Sequence, residues 1–303
     1  MILAGVLAPV PTPFDAQGDV DTARLEAALR RWTASPLSGI VVLGSSGEAA
    51  FVDDHDSERV IASARAVVPG DRVLLAGTGR PSTRASIQAS RRAAVLGADA
   101  VLVITPSAFK AQMTSEALTG YYAAIADNSP VPVILYNFTG ATGVVLSPDA
   151  IARLSEHPNI IGMKESGSDA ARLGEIVRVV PPNFRVLVGS GSSFYASLCL
   201  GASGGILALA CVLPHACCHL FSLAREGRHA EAQTLQSSVL PLARLLGSQG
   251  VPGLKGALRL VGVEVGLPRP PLLPLNDAGV EALTQALAVT AASEDLAPLA
   301  ERR

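Results

Sequence analysis

The chain has 303 residues, of which 49% are hydrophobic and 17% charged, and its formal net charge at pH 7 is -2. This composition excludes a disordered chain, and the absence of a basic block argues against a nucleic-acid partner. The apolar N-terminal segment has no basic leader and runs into prolines, so we interpret it as a first strand and not as a signal peptide. The longest uncharged stretch lies between Arg185 and Arg225. Its central apolar run, residues 206–213, is far below the roughly 18 to 20 residues that a membrane span requires.

Short aliphatic or β-branched runs recur along the chain, with helical segments between them. The runs cover residues 5–7, 39–43, 72–75, 100–104, 131–136, 159–163, 185–188 and 205–209. Their spacing of roughly 20 to 35 residues is typical of βα units. Near-continuous apolar strands flanked by helices indicate a parallel sheet covered on both faces. Eight such units predict an α/β fold, a closed (β/α)8 TIM barrel.

Beyond about Arg225 the strand pattern ends and helical periodicity continues. We therefore predict a barrel over residues 1–224 that carries the active site, and a C-terminal helical extension over residues 225–303. The last residues, from about Ser293, are expected to fray. In such barrels the functional side chains lie where strands end and βα loops begin. Polar residues at these predicted ends are Ser45, Ser46, Glu48, Thr78, Thr105, Tyr136, Asn137, Lys164, Ser190 and Ser192.

Lys164 is the first candidate for a catalytic residue, because nearly all other basic residues of the chain are arginines. Only Lys110, Lys164 and Lys255 are lysines among 24 basic residues. An arginine cannot lose its proton at any useful pH, whereas a buried lysine can. A neutral amine is the nucleophile that forms a Schiff base with a ketone. The alternative is a surface lysine paired with the neighbouring Glu165.

Two further groups converge on the same end of the predicted barrel. Tyr136 closes the adjacent predicted strand, and its phenol could carry a proton; the alternative is a capping aromatic. The loop containing Ser45 and Ser46 offers hydroxyls and backbone N–H groups that suit a carboxylate or phosphate, although it could be only a tight turn. An amine, a phenol and an anion anchor together point to Schiff-base chemistry on a 2-oxo acid.

Other classes fit less well. The G-x-S-x-G match at residues 201–205 would suggest a serine hydrolase, but a helix precedes it and a strand follows, the reverse of a nucleophile elbow. The four cysteines, Cys199, Cys211, Cys217 and Cys218, fit no disulfide framework, so we expect reduced core residues and a cytoplasmic protein. His215 and His219 near two of them lack the spacing of a zinc site, and no metal is predicted. A non-catalytic barrel that binds a 2-oxo acid stays open.

Several segments, in order along essentially the whole chain, resemble the dihydrodipicolinate synthase and N-acetylneuraminate lyase family of class I Schiff-base aldolases. They are PVPTPF (9–14), GSSGEA (44–49), GADAVLVITP (97–106), ILYN (134–137), IIGMKESGSD (160–169) and GASGGILALACVLP (201–214). Within the family, the sixth-strand segment and VPGLKGALRLVG (251–262) look most like 4-hydroxy-2-oxoglutarate aldolase.

The resemblance implies roles for residues of this chain. Lys164 would form the Schiff base, and Tyr136 would transfer protons, with Ser46 assisting the relay. Ser45 and Ser46 would hold the 2-oxo carboxylate, while Gly205 and Ile206 would line the pyruvyl pocket. The family implies a homotetramer (dimer of dimers) that needs neither metal nor organic cofactor, and a structural role for Lys255.

Two departures from the family pattern concern the substrate. Ala141 stands where dihydrodipicolinate synthases carry an arginine that grips the second substrate, and Ala108 stands where they carry a relay tyrosine. Losing an anion clamp and a phenol argues against efficient dihydrodipicolinate synthesis, unless Phe109 or Tyr121 compensates. We therefore predict a lyase of the 4-hydroxy-2-oxoglutarate aldolase type, with pyruvate as product or substrate. The alternatives are dihydrodipicolinate synthase, from pyruvate and aspartate semialdehyde, and a sugar-acid dehydratase.

Overall fold

Eight parallel strands pair in chain order, and the eighth pairs with the first to close a barrel. The computed structural model describes residues 3–291, so the predicted fraying from about Ser293 lies outside the described residues. The strands are β1 Gly5–Pro9, β2 Gly39–Val42, β3 Val73–Gly77, β4 Ala100–Ile104, β5 Val133–Asn137, β6 Ile160–Glu165, β7 Arg185–Val188 and β8 Gly204–Ile206. The predicted (β/α)8 barrel is confirmed.

Helices cover the outside of the barrel and follow nearly every strand. They are α1 Thr22–Thr33, α2 Asp54–Val67, α3 Thr83–Val95, α4 Ser115–Asn128, α5 Thr139–Thr142, α6 Pro148–Ser155, α7 Ala170–Val179, α8 Phe194–Cys199, α9 Ala208–Val212 and α10 Pro214–Arg225. Their starts follow local capping chemistry: Asp21 accepts a hydrogen bond from the backbone of Arg24, at 2.9 Å, and so caps α1. Pro148 begins α6 behind the cap residue Ser147.

The barrel encloses its own core, separate from the layer between strands and helices. Alternate residues of each strand point inward because successive side chains of a strand face opposite ways. The inward set comprises Leu3, Leu7, Val41, Leu75, Ala100, Leu102, Ile134, Tyr136, Leu187 and Ile206. Tyr136 is the member of this set that bears a polar group, so its hydroxyl lies inside the barrel among apolar side chains.

The eighth strand is shorter than predicted. The sequence pattern indicated a strand over residues 205–209, whereas β8 ends at Ile206 and α9 begins at Ala208. The prediction was wrong at this end because a fully buried helix and a buried strand both read as continuous apolar runs. The turn into α9 brings Cys211 against β1, where its Sγ lies 3.3 Å from the carbonyl oxygen of Pro9.

The predicted C-terminal helical extension consists of α11 His229–Leu260 and α12 Asp277–Ala291. Helix α11 is broken at Gly250, whose φ of 59° is left-handed, and it packs against α9, α10 and α12. Helix α10 ends at Arg225 and α11 starts at His229, so the predicted boundary at 224 falls in the last turn of α10; the division into two units stays a prediction. Within residues 3–291 no helix combines the length and apolarity needed to cross a membrane.

Glycines close the barrel where the first and last strands meet. In the β1–β8 pair Gly5 lies opposite Gly204. A side chain at Gly204 would overlap the carbonyl oxygen of Gly5, and one at Gly5 would overlap the hydroxyl of Ser38. The backbones can therefore approach at this seam because Gly204 lacks a Cβ, whereas the missing Cβ of Gly5 leaves room for Ser38 just before β2.

Candidate active site

Lys164 lies inside the barrel, near the carboxyl end of β6. Its backbone is in register with Tyr136 on β5 and with Leu187 on β7. The Nζ atom stands 4.3 Å from the centre of the Tyr136 ring, and the residue is only 5% exposed. The prediction that the sixth strand delivers a buried lysine beside a tyrosine on the fifth is confirmed in position.

The next residue, Glu165, faces the other way and is satisfied by different partners. Its carboxylate accepts hydrogen bonds from Asn137 Nδ2 at 3.0 and 2.9 Å and from the backbone N–H of Gly167 at 2.9 Å. It also pairs with Arg172 Nε at 3.1 Å. The alternative of a surface lysine paired with Glu165 is therefore wrong, because the two side chains lie on opposite faces of the strand.

Tyr136 holds its hydroxyl against the loop after β2. The hydroxyl lies 3.2 Å from Ser45 Oγ, and either atom can donate. One side of the ring is covered by Phe138, stacked at 6.1 Å between centroids with an interplanar angle of 17°. At 3% exposure Tyr136 is a buried phenol with a hydroxyl partner, the arrangement needed to pass a proton between a ligand and a side chain.

The other predicted site residues take distinct positions. Ser46 follows Ser45 but is half-buried and makes no side-chain hydrogen bond to another residue of 3–291, so its relay role stays a prediction. Ile206 points into the barrel beside Tyr136. Gly205 is the adjacent backbone position of β8, where a Cβ would come within 2.9 Å of Phe194 and Leu207.

A pocket of about 460 Å³ opens at the carboxyl end of the strands. Its walls come from the loops after β2, β3, β4 and β5 and from the C-terminal extension. The lining includes Ser45, Glu48, Phe51, Arg80, Thr105, Ser107, Tyr136, Ala141, Thr142, Val251 and Leu272. Among these, Thr105 Oγ1 donates to Thr142 Oγ1 at 3.2 Å, which ties the β4 and β5 loops together. Among the predicted site residues, Ser45 and Tyr136 line this pocket, whereas Lys164, Ser46, Gly205 and Ile206 do not.

The two alanines at the departures from the family pattern are exposed. Ala141 lines the mouth of the pocket on α5, so an arginine there would reach the cavity. Neither proposed substitute replaces the relay tyrosine within this chain. Phe109 is 80% exposed, and the Tyr121 hydroxyl is bound to Ser86 at 2.8 Å and donates to the Arg80 carbonyl at 3.1 Å. Burial raises the pKa of Tyr121, which further disfavours a role in proton transfer.

A second buried lysine lies behind the β2 loop. Lys255 Nζ, on α11, is 2.7 Å from Glu48 Oε1 and donates to the carbonyl oxygens of Thr12 and Leu267 at 2.8 and 2.9 Å. Burial lowers the pKa of Lys255, and the Glu48 carboxylate opposes that shift. The predicted structural role for Lys255 agrees with these contacts: Lys255 itself does not line the pocket, whereas its partner Glu48 does.

Neither the G-x-S-x-G match nor the cysteines form a functional site in the described part of the chain. Ser203 precedes β8 and follows α8, so the hydrolase alternative lacks its required strand–turn–helix order. The cysteines form no disulfide. Burial raises the pKa of the Cys211 and Cys217 thiols, and raises that of Cys218 to about 12. These thiols are therefore apolar packing groups at neutral pH.

Sequence reasoning missed the residues that support the site from behind. Asn137 was noted only as a strand end, although it bonds Glu165, and Arg172 was not singled out at all. The one available signal was an acidic residue directly after an inward-facing lysine, which must face the helix layer and needs a partner there. Thr142 and Arg80 line the pocket, but nothing in their local sequence distinguishes them from other loop residues.

Comparison with known proteins gives a consistent picture. The model of the dihydrodipicolinate synthetase family matches residues 2–290. The chain is 36% identical to a 4-hydroxy-tetrahydrodipicolinate synthase of Xanthomonas campestris, over 98% of this chain and 97% of that protein. It is also 36% identical to a probable mitochondrial 4-hydroxy-2-oxoglutarate aldolase of Emericella nidulans, over 94% of each. The crystal structure of a chloride-inhibited dihydrodipicolinate synthase from Acinetobacter baumannii, complexed with pyruvate, superposes with a TM-score of 0.91 at 32% identity, covering 95% of this chain and 99% of that one.

Proposed function

Because the chain belongs to the dihydrodipicolinate synthetase family of class I aldolases, we propose that it is a lyase in which Lys164 forms a Schiff base with a 2-oxo acid. The observation that carries this proposal is the position of Lys164 Nζ, 4.3 Å from the centre of the Tyr136 ring, with Ser45 on the Tyr136 hydroxyl. In the part of the chain described, no carboxylate pairs with Lys164 to hold it as a cation. The amine is thus available as a nucleophile once it has lost its proton.

The first step is imine formation. The Lys164 amine attacks the C2 carbonyl of the 2-oxo acid, the carbonyl oxygen takes up protons, and water leaves. We assign the proton transfers to Tyr136, relayed through Ser45 or Ser46. The loop 44–49 would hold the carboxylate next to C2 through its hydroxyls and backbone N–H groups. Gly205 and Ile206 would form the opposite wall, where an apolar side chain and bare backbone leave room for a methyl or methylene group.

The second step breaks or forms the carbon–carbon bond. In a 4-hydroxy-2-oxo acid the C4 hydroxyl gives up its proton, the C3–C4 bond breaks, and its electrons pass to the imine nitrogen to give an enamine and an aldehyde. Protonation of C3 and hydrolysis of the imine then release pyruvate and free the amine. We assign this proton exchange to the Tyr136 hydroxyl as well, because Tyr136 is buried, lines the pocket and is hydrogen-bonded to Ser45.

For the substrate we propose 4-hydroxy-2-oxoglutarate or a close analogue, which would be cleaved to pyruvate and glyoxylate. The pocket mouth carries Ala141 where a second-substrate arginine would stand, and Ala108 replaces the relay tyrosine. A second candidate is 4-hydroxy-tetrahydrodipicolinate synthesis from pyruvate and aspartate semialdehyde, which is favoured by the 36% identity to the Xanthomonas campestris synthase.

Borohydride trapping tests the shared chemistry. Wild-type protein incubated with pyruvate and borohydride should gain a reduced pyruvyl adduct that peptide mapping places on Lys164, and Lys164→Ala should gain none. No adduct with any 2-oxo acid would refute the proposal and leave the non-catalytic binding barrel. Turnover of 4-hydroxy-2-oxoglutarate, compared with condensation of pyruvate and aspartate semialdehyde, then separates the two candidates.

We further propose a homotetramer located in the cytoplasm. The resemblance to the family supports this assembly, and the spacing of the four cysteines, which fits no disulfide framework, supports the compartment. A structure described as the first monomeric dihydrodipicolinate synthase variant is also similar, with a TM-score of 0.90 at 28% identity. Sedimentation equilibrium distinguishes tetramer from monomer directly.

A further inference from the structure

We infer that Lys255 is a positioning residue: through Glu48, it and Arg269 hold the loop 44–49 in the shape that binds the substrate carboxylate. The inference rests on the proposed function, because that function assigns carboxylate binding to this loop. Lys255 and Arg269 belong to the C-terminal extension and lie more than 200 positions along the chain from Glu48. The extension would therefore shape the active site without contacting the reacting atoms.

The loop is bent at both ends by residues other than glycine in left-handed conformation. Leu43 has a φ of 55° and Glu48 a φ of 57°. Such a conformation is unfavourable for a residue with a Cβ, and it persists only where surrounding contacts enforce it. Ser45 and Ser46 lie between these two bends. Whatever holds Glu48 in place therefore also decides where the two serines point.

Glu48 is held at both carboxylate oxygens. Oε1 faces Lys255 Nζ at 2.7 Å, and Oε2 accepts the backbone N–H of Arg269 at 2.7 Å. A lysine ammonium has three donors. Here two donors go to the carbonyl oxygens of Thr12 and Leu267, whereas the contact with Glu48 Oε1 is an ion pair and not an aligned hydrogen bond. This cation joins the β1 loop, the β2 loop and the extension at a single buried point.

Neighbouring contacts restrain the rest of the loop in the same way. Thr12 Oγ1 donates to the carbonyl oxygen of Gly47 at 2.6 Å, one residue before Glu48. The Arg269 guanidinium donates to the carbonyl oxygen of Phe51 at 2.7 Å and pairs with Asp56 at 2.8 Å, so it fixes the chain as it leaves the loop. The loop is therefore tied down before, at and after Glu48.

A role in stability alone would use the same contacts, so the test must measure loop geometry. Without the Lys255 cation, Glu48 would turn toward water and the bend would relax. Ser45 and the N–H groups would then move away from the carboxylate site, while Lys164 and Tyr136, on neighbouring strands of the barrel, would stay in place. The expected signature is weaker binding of pyruvate, with Lys164 still carrying the trapped adduct at saturating pyruvate.

The experiment measures the pyruvate concentration that gives half-maximal borohydride trapping. For Lys255→Met we expect this concentration to rise at least about tenfold over wild type, with the same adduct at saturation. Arg65→Met is the matched control: Arg65 also joins a carboxylate, Asp99 at 3.2 Å, to backbone carbonyls, but at the opposite end of the barrel. That variant should trap like wild type at every pyruvate concentration.

A milder variant keeps the test informative if Lys255→Met does not fold. Glu48→Gln removes the charge that faces Lys255 but keeps an amide oxygen that can accept the Arg269 N–H, and we expect a rise of about threefold. An unchanged half-maximal concentration in these variants, or an equal rise in Arg65→Met, would overturn the inference. Failure of the wild type to trap pyruvate would instead overturn the proposed function, so the two failures are distinguishable.

Discussion

The buried carboxylate of Glu165 permits a quantitative prediction for Arg172→Met. Glu165 is 3% exposed, and Arg172 supplies its only cationic partner among residues 3–291. Removing one member of a buried pair leaves an uncompensated charge, at a cost of about 3 to 5 kcal/mol. The Arg172 side chain is 19% exposed, so water can partly replace it, and the Asn137 and Gly167 donors remain. We therefore expect the free energy of unfolding to fall by the low end of this range, about 3 kcal/mol.

Thermal unfolding measures this cost. At roughly 2 °C per kcal/mol for a domain of this size, the melting temperature of Arg172→Met should fall by about 6 °C. The double variant Glu165→Gln with Arg172→Met should recover most of that loss, because no charge is left buried. A single variant that melts within about 1 °C of wild type, or a double variant no more stable than the single one, would refute the reasoning.

Four further predictions address the site and its surroundings. Tyr136→Phe should lower kcat by roughly 10²- to 10⁴-fold, the usual range for a general acid–base group; steady-state kinetics showing less than a tenfold loss would contradict the assignment. Ala141→Arg should improve turnover of aspartate semialdehyde relative to glyoxylate but leave pyruvate trapping on Lys164 unchanged, and lost trapping would mean that Ala141 is misplaced. Iodoacetamide at pH 8 should modify exposed Cys199 and spare Cys218, whose pKa burial raises from 9.0 to about 12. Mass spectrometry of the labelled folded protein identifies the modified cysteines, and labelling of Cys218 as early as Cys199 would contradict the prediction. Because the unfolded chain loses the Cys218 proton first, this thiol should also contribute less stability as pH rises from about 9 towards 12.

The sequence was sufficient to predict the barrel and the neighbouring placement of Lys164 and Tyr136. Both follow from local patterns, since apolar runs recur at βα spacing and consecutive strands of a barrel are adjacent. The end of β8 was not predictable in this way, because the run through Leu209 is as compatible with a buried helix as with a strand. The contacts that hold Glu48 could not be predicted from the sequence either. Its partners come from a segment more than 200 residues away, and no local periodicity encodes that contact.

The glycine seam between β1 and β8 also has a consequence for how the molecule is made. Strands separated by about 200 residues, as β1 and β8 are, are the slowest to meet, because closing so long a loop carries a large entropic cost. During synthesis, an incomplete barrel of seven strands presents two open edges until Gly204 and its neighbours have emerged. Unpaired edges invite pairing between molecules. A bulky residue at Gly204 would prolong the time during which these edges stay unpaired. Its first observable effect would therefore be aggregation of newly made chains.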